Sequence, residues 1–104
     1  MTPVRWLRRA LRDLDDAYSY VASDSTKAAG RLIEQIRTGT ELLSTSPELG
    51  RIGRVSGTRE LAIAGTPFIV VYRTLVSKRA PQAIILAVMH GARRWPRAFR
   101  SGRW

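Results

Sequence analysis

The chain has 104 residues, of which 44% are apolar, and it carries a net charge of +10 with no cysteine. That length suits one packed domain and is too short for two, so we expect a single domain over residues 1–104. The lack of cysteine excludes disulfides and thiolate metal sites. Because no apolar stretch has the length of a signal peptide or a membrane span, we expect a cytoplasmic protein with no membrane partner.

The excess positive charge lies entirely in the second half of the chain. Residues 1–50 contain seven basic and seven acidic side chains, whereas residues 51–104 contain eleven basic side chains and the single acid Glu60. Such a distribution attracts an acidic protein or a nucleic acid and speeds the encounter with either. The alternative is a solvated basic surface that only keeps the domain soluble.

Two helices are predicted in the first half of the chain. A short extended segment at residues 3–6 is followed by apolar residues at helical spacing over 7–21. The residues at 23–26 favour helix N-caps, so they end this helix and begin a second one. The second helix is predicted to run through residue 43 and to end before Pro47, because proline cannot continue a helix.

Three strands are predicted in the second half. Residues 61–63 are short and apolar, residues 65–67 form a turn, and residues 68–72 are β-branched and aromatic. After a turn at 77–81, residues 83–89 form another apolar run, which predicts that the last two strands are central. The order is β-α-α-β-β-β. It indicates an α+β fold in which a helical hairpin packs on a small, mainly antiparallel sheet.

Residues 92–104 form a basic C-terminal tail that also contains aromatic residues. Arginines alternate there with Trp95, Phe99 and Trp104. Positive charge combined with stacking surface suits single-stranded nucleic acid or an acidic amphipathic peptide. A frayed basic tail without a binding role is the alternative.

The sequence lacks the residues that most familiar catalytic sites require. One histidine, no cysteine and no glycine-rich phosphate loop argue against zinc hydrolases, cysteine nucleophiles and nucleotide-binding folds. Asp13, Asp15 and Asp16 are interspersed with arginines, which favours a solvated helix face over a metal site. We therefore expect no metal and no cofactor.

His90 and several arginines are the remaining candidates for chemistry. His90 directly follows the last predicted strand, where functional side chains are frequent. It is either a general acid or base or a structural residue that orients the tail, and its chemistry alone favours the structural role. Arg59, Arg73, Arg93 and Arg94 flank the predicted strands. If they converged on one side of the sheet, they would hold a phosphate without a metal.

Five groups of residues carry a family resemblance: ALRDL at 10–14 with YVA at 20–22, PELGR at 47–51, TREL at 58–61, IVVYR at 69–73 and VMHGARRWP at 88–96. In this order and at this spacing they resemble the RelE/ParE superfamily of toxins from bacterial type II toxin-antitoxin modules. The resemblance covers residues 4–96. It implies a helical hairpin against an antiparallel sheet, and a growth-inhibiting toxin that an acidic, partly disordered antitoxin segment wraps and inactivates.

The resemblance leaves two activities open. RelE-like members cleave messenger RNA on the ribosome with a set of basic residues and usually a tyrosine near the C-terminus, whereas ParE-like members bind DNA gyrase. Leu61, Ile69 and Phe99 replace residues of the RelE set. We therefore expect a ParE-like toxin that is not an enzyme, with a metal-independent endoribonuclease as the alternative. A simple RNA-binding module is a third hypothesis.

Each interpretation implies its own functional residues. The nuclease alternative would use Arg59, Arg93 and His90 as catalytic residues. The residues that we expect to bind the target or the antitoxin are Arg73, Arg94, Trp95, Arg97 and Phe99. The resemblance further implies that the protein forms a hetero-oligomer with the antitoxin and reaches operator DNA only through the antitoxin. Its target would be either DNA gyrase or the ribosome with its mRNA.

Overall fold

A computed structural model describes residues 2–75 and 81–91 of the chain. Its elements are β1 (Val4–Trp6), α1 (Arg8–Ala22), α2 (Thr26–Glu41), β2 (Arg51–Ile52), β3 (Arg59–Ala62), β4 (Phe68–Leu75) and β5 (Gln82–His90). The strands form one sheet in the order β1-β5-β4-β3-β2. Only the β1–β5 pair is parallel among these strand pairs. The predicted α+β fold, a helical hairpin on a mainly antiparallel sheet, is confirmed.

The two helices begin in different ways. At α2 the side chain of Ser25 accepts a hydrogen bond from the backbone N–H of Ala28, as the sequence predicted for an N-cap. No side chain caps α1, which follows directly on the strand pairing where Leu7 N–H donates to Ile85 O. Among the described helices, none is long and apolar enough to span a membrane.

The second helix and the sheet differ from the prediction. Strand β3 covers Arg59–Ala62 and not the predicted 61–63, so Arg59 lies within a strand. The α-helix ends at Glu41, and Leu42–Ser44 forms a 3-10 turn that tightens its end. Strand β2 was not predicted. It has two residues and exists because Arg51 and Ile52 pair with β3, so neither periodicity nor β-propensity marks it.

Apolar side chains cover both faces of the sheet. The cluster on the helix face consists of Ala10, Ala17, Leu32, Ile36, Leu43, Ile63, Val70, Tyr72, Ala83, Ile85 and Val88. The cluster on the far face contains Val71, Ile84, Leu86 and Ala87. Burial on both faces explains the near-continuous apolar runs of β4 and β5, and the prediction that these strands are central is confirmed.

A β-bulge in β5 determines which of its residues face the helices. Tyr72 pairs with Ile85 but Val71 pairs with Ala87, so Leu86 is one extra residue on β5. Leu86 and Ala87 consequently both belong to the far-face cluster.

Beyond the bulge the alternation of faces starts again with Val88 on the helix face. His90 follows two residues later and therefore lies on the same face, where it pairs with Phe68 of β4. The two rings meet edge to face, with centroids 5.7 Å apart and an angle of 73° between the planes. The bulge thus directs His90 toward the helical hairpin.

Candidate functional site

The structure describes three of the eight predicted functional residues, namely Arg59, Arg73 and His90. Arg93, Arg94, Trp95, Arg97 and Phe99 lie outside the described residues. Their roles therefore stay predictions.

Arg59 and His90 lie toward opposite ends of β4. Arg59 pairs with Tyr72, whereas His90 pairs with Phe68. Tyr72 and Phe68 are four positions apart along β4, a distance of about 13 Å at roughly 3.3 Å per residue. The two side chains share a face of the sheet but not a site.

Arg73 points away from both of them. It follows Tyr72 in β4, and successive side chains of a strand point to opposite faces. Its partner across the sheet, Ile84, belongs to the far-face cluster. Arg59 and Arg73 therefore do not converge on one side of the sheet, so these two do not form the phosphate site that the sequence left open.

Arg59 is engaged by the loop that precedes β2. Its Nη1 donates hydrogen bonds to the carbonyl oxygens of Gly50, at 2.8 Å, and Glu48, at 3.3 Å. Both acceptors belong to residues 47–50, here called the PELG loop. A guanidinium held by two main-chain carbonyls fixes the loop against β3.

Tyr72 holds the same loop from β4. Its hydroxyl donates to Pro47 O and accepts from the backbone N–H of Gly50, each at 2.8 Å. The side chain is fully buried. Burial raises the pKa of the Tyr72 hydroxyl, while the hydrogen bond from Gly50 and the charge of Arg59 oppose that rise.

Glu60 binds the segment that follows the PELG loop. Its buried carboxylate accepts hydrogen bonds from Arg51 Nη2 at 3.0 Å and from the backbone N–H of Arg54 at 2.9 Å. Arg54 Nε lies 3.6 Å from the same carboxylate. The two charged neighbours in β3, Arg59 and Glu60, therefore tie successive parts of the chain to the sheet.

An apolar groove lies between α2 and β3, beside the PELG loop. It has a volume of about 900 Å³, and its walls include Gln35, Gly39, Leu42, Leu49, Leu61 and Ile63. Leu42 and Leu49 are each about half exposed, at 50% and 49%. The sequence analysis missed this groove, because its walls come from segments that only the folded chain brings together.

Gly39 permits the close approach of α2 to Ile63, and both residues line this groove. A Cβ atom at position 39 would lie 2.8 Å from Ile63 Cδ1, closer than side chains normally approach. The sequence signal for such a contact is a glycine inside a helix, where it costs stability unless packing requires it.

A second, smaller pocket contains His90. Its volume is about 400 Å³, and its walls include Tyr20, Arg31, Gln35, Thr66, Phe68 and His90. The packing of His90 on Phe68 orients the imidazole ring. The tail that His90 was predicted to orient lies outside the described residues. Arg59 does not line this pocket.

Asp13 departs from the predicted solvated helix face. It is partly buried, and its Oδ2 accepts a hydrogen bond from the backbone N–H of Val88 at 3.1 Å. Burial raises the pKa of the Asp13 carboxyl, and the Val88 hydrogen bond and the charge of Arg9 partly oppose this. Asp15 and Asp16 are exposed, as expected. Within residues 2–75 and 81–91, no group of three metal-ligating side chains comes together.

The fold has counterparts among known proteins. Residues 4–95 match the family described as the ParE toxin of the type II toxin-antitoxin system, parDE. The chain belongs to this family. The resemblance to RelE/ParE toxins is thereby confirmed, and the broader description of the chain as a toxin-family protein of type II modules follows from it.

Three relatives illustrate the match. The protein with the name "Putative toxin Y4kP" from Sinorhizobium fredii (strain NBRC 101917 / NGR234) is 41% identical over 93 residues, which are 89% of this chain and 92% of that protein. Toxin RelE2 of Caulobacter vibrioides is 33% identical over 72 residues, which are 69% of this chain and 80% of that protein. A chain of the chromosomal ParDE toxin-antitoxin system from P. aeruginosa superposes with a TM-score of 0.73 at 27% identity, covering 86% of this chain and 96% of that chain.

Proposed function

We propose that this ParE-family protein is a cytoplasmic toxin that stops growth by binding DNA gyrase, and that it does not cleave RNA. A co-encoded antitoxin neutralises it through an acidic segment. The two proteins form a hetero-oligomer that reaches operator DNA only through the antitoxin. The candidates for contacts with the target or the antitoxin are Arg73, which the structure describes, and Arg94, Trp95, Arg97 and Phe99, which lie outside the described residues.

The position of Arg59 is the main observation that favours a toxin that binds its target over one that cleaves RNA. A general acid or base and the group that stabilises the phosphate must both reach one reacting phosphate. Arg59 instead donates to the carbonyls of Gly50 and Glu48, and about 13 Å of strand separates its site from that of His90. Arg59 and His90, two of the three catalytic residues of the nuclease alternative, thus cannot act on the same phosphate.

The apolar groove and the basic second half support a protein partner. A groove of about 900 Å³ with half-exposed leucines in its walls is the kind of surface that a partner covers. The net charge of +10 favours a partner segment that carries acidic residues. Membership of the ParE toxin family supports an antitoxin as that partner.

A supercoiling assay with purified components tests the choice of target. We expect the protein to inhibit supercoiling of relaxed plasmid by DNA gyrase, or to accumulate cleaved DNA, and addition of the antitoxin should restore the reaction. A parallel assay with ribosomes that translate a defined mRNA should give no new RNA fragments. Cleavage of the ribosome-bound mRNA with intact gyrase activity would overturn the proposal in favour of the nuclease.

Induced expression in cells tests toxicity itself. Growth should stop while translation continues, and the arrested cells should show a DNA damage response. Vigorous growth at a high level of soluble protein would contradict any toxin function. A useful matched pair is Arg93→Ala and Arg73→Ala: a loss of toxicity with antitoxin binding intact would assign the changed arginine to the target surface.

A further inference from the structure

Two side chains of the sheet bond four main-chain groups of the PELG loop. Tyr72 bonds Pro47 O and Gly50 N–H, and Arg59 bonds Glu48 O and Gly50 O, at distances from 2.8 to 3.3 Å. Neither side chain belongs to the loop. Strands β3 and β4 therefore hold the loop against the sheet from outside the loop.

The side chain of Leu49 projects from this immobilised loop into the apolar groove. It lines the groove together with Leu42, which lies at the end of α2, and each of the two is about half exposed. The backbone N–H of Leu49 donates to Ser46 O at 3.0 Å, which closes the loop as a turn. Leu49 is thus a wall residue whose position depends on the hydrogen bonds to its neighbours.

Gly50 makes the arrangement possible. A Cβ atom at position 50 would lie 2.7 Å from Tyr72 Cε1 and 3.0 Å from Glu60 O. Only glycine lets the loop approach the sheet closely enough for the Tyr72 hydroxyl to bond on both sides.

We propose that Tyr72 and Arg59 are positioning residues, which hold Leu49 in place as a preformed wall on which an acidic, amphipathic segment of the antitoxin packs. The inference rests on the proposed function, since it needs an antitoxin. It assigns Arg59 to the shaping of a binding surface and not to catalysis.

The chemistry of the groove matches such a segment in two respects. Its walls are mainly apolar, which suits the apolar side of an amphipathic chain. At the β3 end, Arg51 lines the groove and pairs with Glu60 at 3.0 Å, and Arg54 Nε lies 3.6 Å from the same carboxylate, so two guanidinium groups meet one carboxylate there. An acidic flank on the partner would complement that charge.

Preorganisation is the physical gain from holding the loop. When the loop is already ordered, the partner does not have to order it on binding. When the loop is free, the entropy cost of ordering it weakens the affinity. Loss of the Tyr72 hydroxyl should therefore weaken binding, although Tyr72 is buried and cannot touch the partner.

Tyr72→Phe tests the inference, because it keeps the buried ring and removes only the hydroxyl. The probe is the whole antitoxin encoded beside this gene, and the measurement is its dissociation constant by titration calorimetry. We expect the dissociation constant to rise about tenfold. Asp13→Asn is the matched control: it changes one side-chain contact to the sheet, at β5 and away from the groove, and should alter affinity less than about twofold.

A double-mutant cycle separates positioning from general destabilisation. If Tyr72 acts through Leu49, the variant with both Tyr72→Phe and Leu49→Ala should bind no more weakly than Leu49→Ala alone. Additive losses would overturn the inference, as would an unchanged affinity of Tyr72→Phe. If Tyr72→Phe does not fold, the same cycle with Arg59→Lys, which keeps the charge, decides the question by the same criterion.

The wild-type protein distinguishes failure of this inference from failure of the proposed function. If the wild type does not bind the antitoxin, both are wrong. If the wild type binds tightly and Tyr72→Phe binds equally well, only the positioning role is wrong.

Discussion

Gly50 donates its backbone N–H to the buried hydroxyl of Tyr72 at 2.8 Å, across 22 residues of sequence. The contact joins the start of β2 to the central strand β4 and leaves no space for a side chain at position 50. The PELG segment, which contributed to the family resemblance, is therefore a structural anchor of the sheet edge in this protein.

Gly50→Ala should lower the free energy of unfolding by about 2 kcal/mol, because the added methyl group must displace the Tyr72 ring or the Glu60 backbone. Urea denaturation at neutral pH measures the change. Gly30→Ala is the control, since nothing lies within 4 Å of a Cβ atom there. That helical position should gain about 1 kcal/mol. A neutral Gly50→Ala would mean that the loop is not held against Tyr72.

Glu60→Gln should destabilise the protein by about 2 kcal/mol, because the buried carboxylate accepts charge-assisted hydrogen bonds from the 51–54 segment. The control is Glu34→Gln, which removes an exposed ion pair with Arg37 at 3.2 Å. Exposed pairs contribute at most about 1 kcal/mol, so the control should change little. Equal effects of the two substitutions would contradict the anchoring role of Glu60.

The helices and the two central strands could be predicted from the sequence because each has a pattern that local physics produces. Helical spacing marks α1 and α2, and burial on both faces gives β4 and β5 their apolar runs. Because both faces are buried, the bulge leaves no signal in the sequence pattern. When both faces are apolar, an extra residue such as Leu86 breaks no alternation, so the face on which His90 lies could not be predicted.

The candidate site could be predicted only in part, because side-chain partners depend on tertiary contacts. Arg59 was chosen for its charge, yet the structure gives it two carbonyl acceptors in a loop that it meets through the sheet. The groove was missed because Leu42 and Leu49 lie in separate segments with no shared periodicity. Side-chain chemistry therefore identified which residue types could act in a site, whereas the positions and partners of those residues could be known only from the fold.

The pH dependence of stability should reveal the partly buried Asp13. Burial raises its pKa in the folded protein above the ordinary value of 3.8, so the ionised carboxylate is less favourable in the folded than in the unfolded chain. Relative to Asp13→Asn, the wild type should therefore lose stability as the pH rises from below 3.8 through the raised pKa. Urea denaturation of both proteins at several pH values measures this difference.

The opposite trend would show that the Val88 hydrogen bond and the charge of Arg9 outweigh burial at Asp13. Asp15→Asn is the control for the general effect of removing a negative charge from α1, because Asp15 is exposed. At neutral pH its free energy of unfolding should differ from that of the wild type by at most about 0.5 kcal/mol.

Charge and apolar burial should affect different steps of antitoxin binding. Long-range attraction by the net charge of +10 increases the association rate and is screened by salt, so the association rate constant should fall as ionic strength rises. Leu42→Ala removes apolar surface from the groove wall without changing charge. It should raise the dissociation rate constant about tenfold and leave association nearly unchanged.

Stopped-flow or surface-based kinetics with the intact antitoxin measures both constants, and Tyr20→Ala provides the control. Tyr20 is 76% exposed and lines the pocket of His90, not the groove. If the groove holds the partner, the Tyr20 variant should dissociate at nearly the wild-type rate. If the Tyr20→Ala variant dissociates faster than the Leu42→Ala variant, the partner contacts the His90 pocket and not the groove. Truncation of a side chain outside the interface removes no contact with the partner and should not speed dissociation.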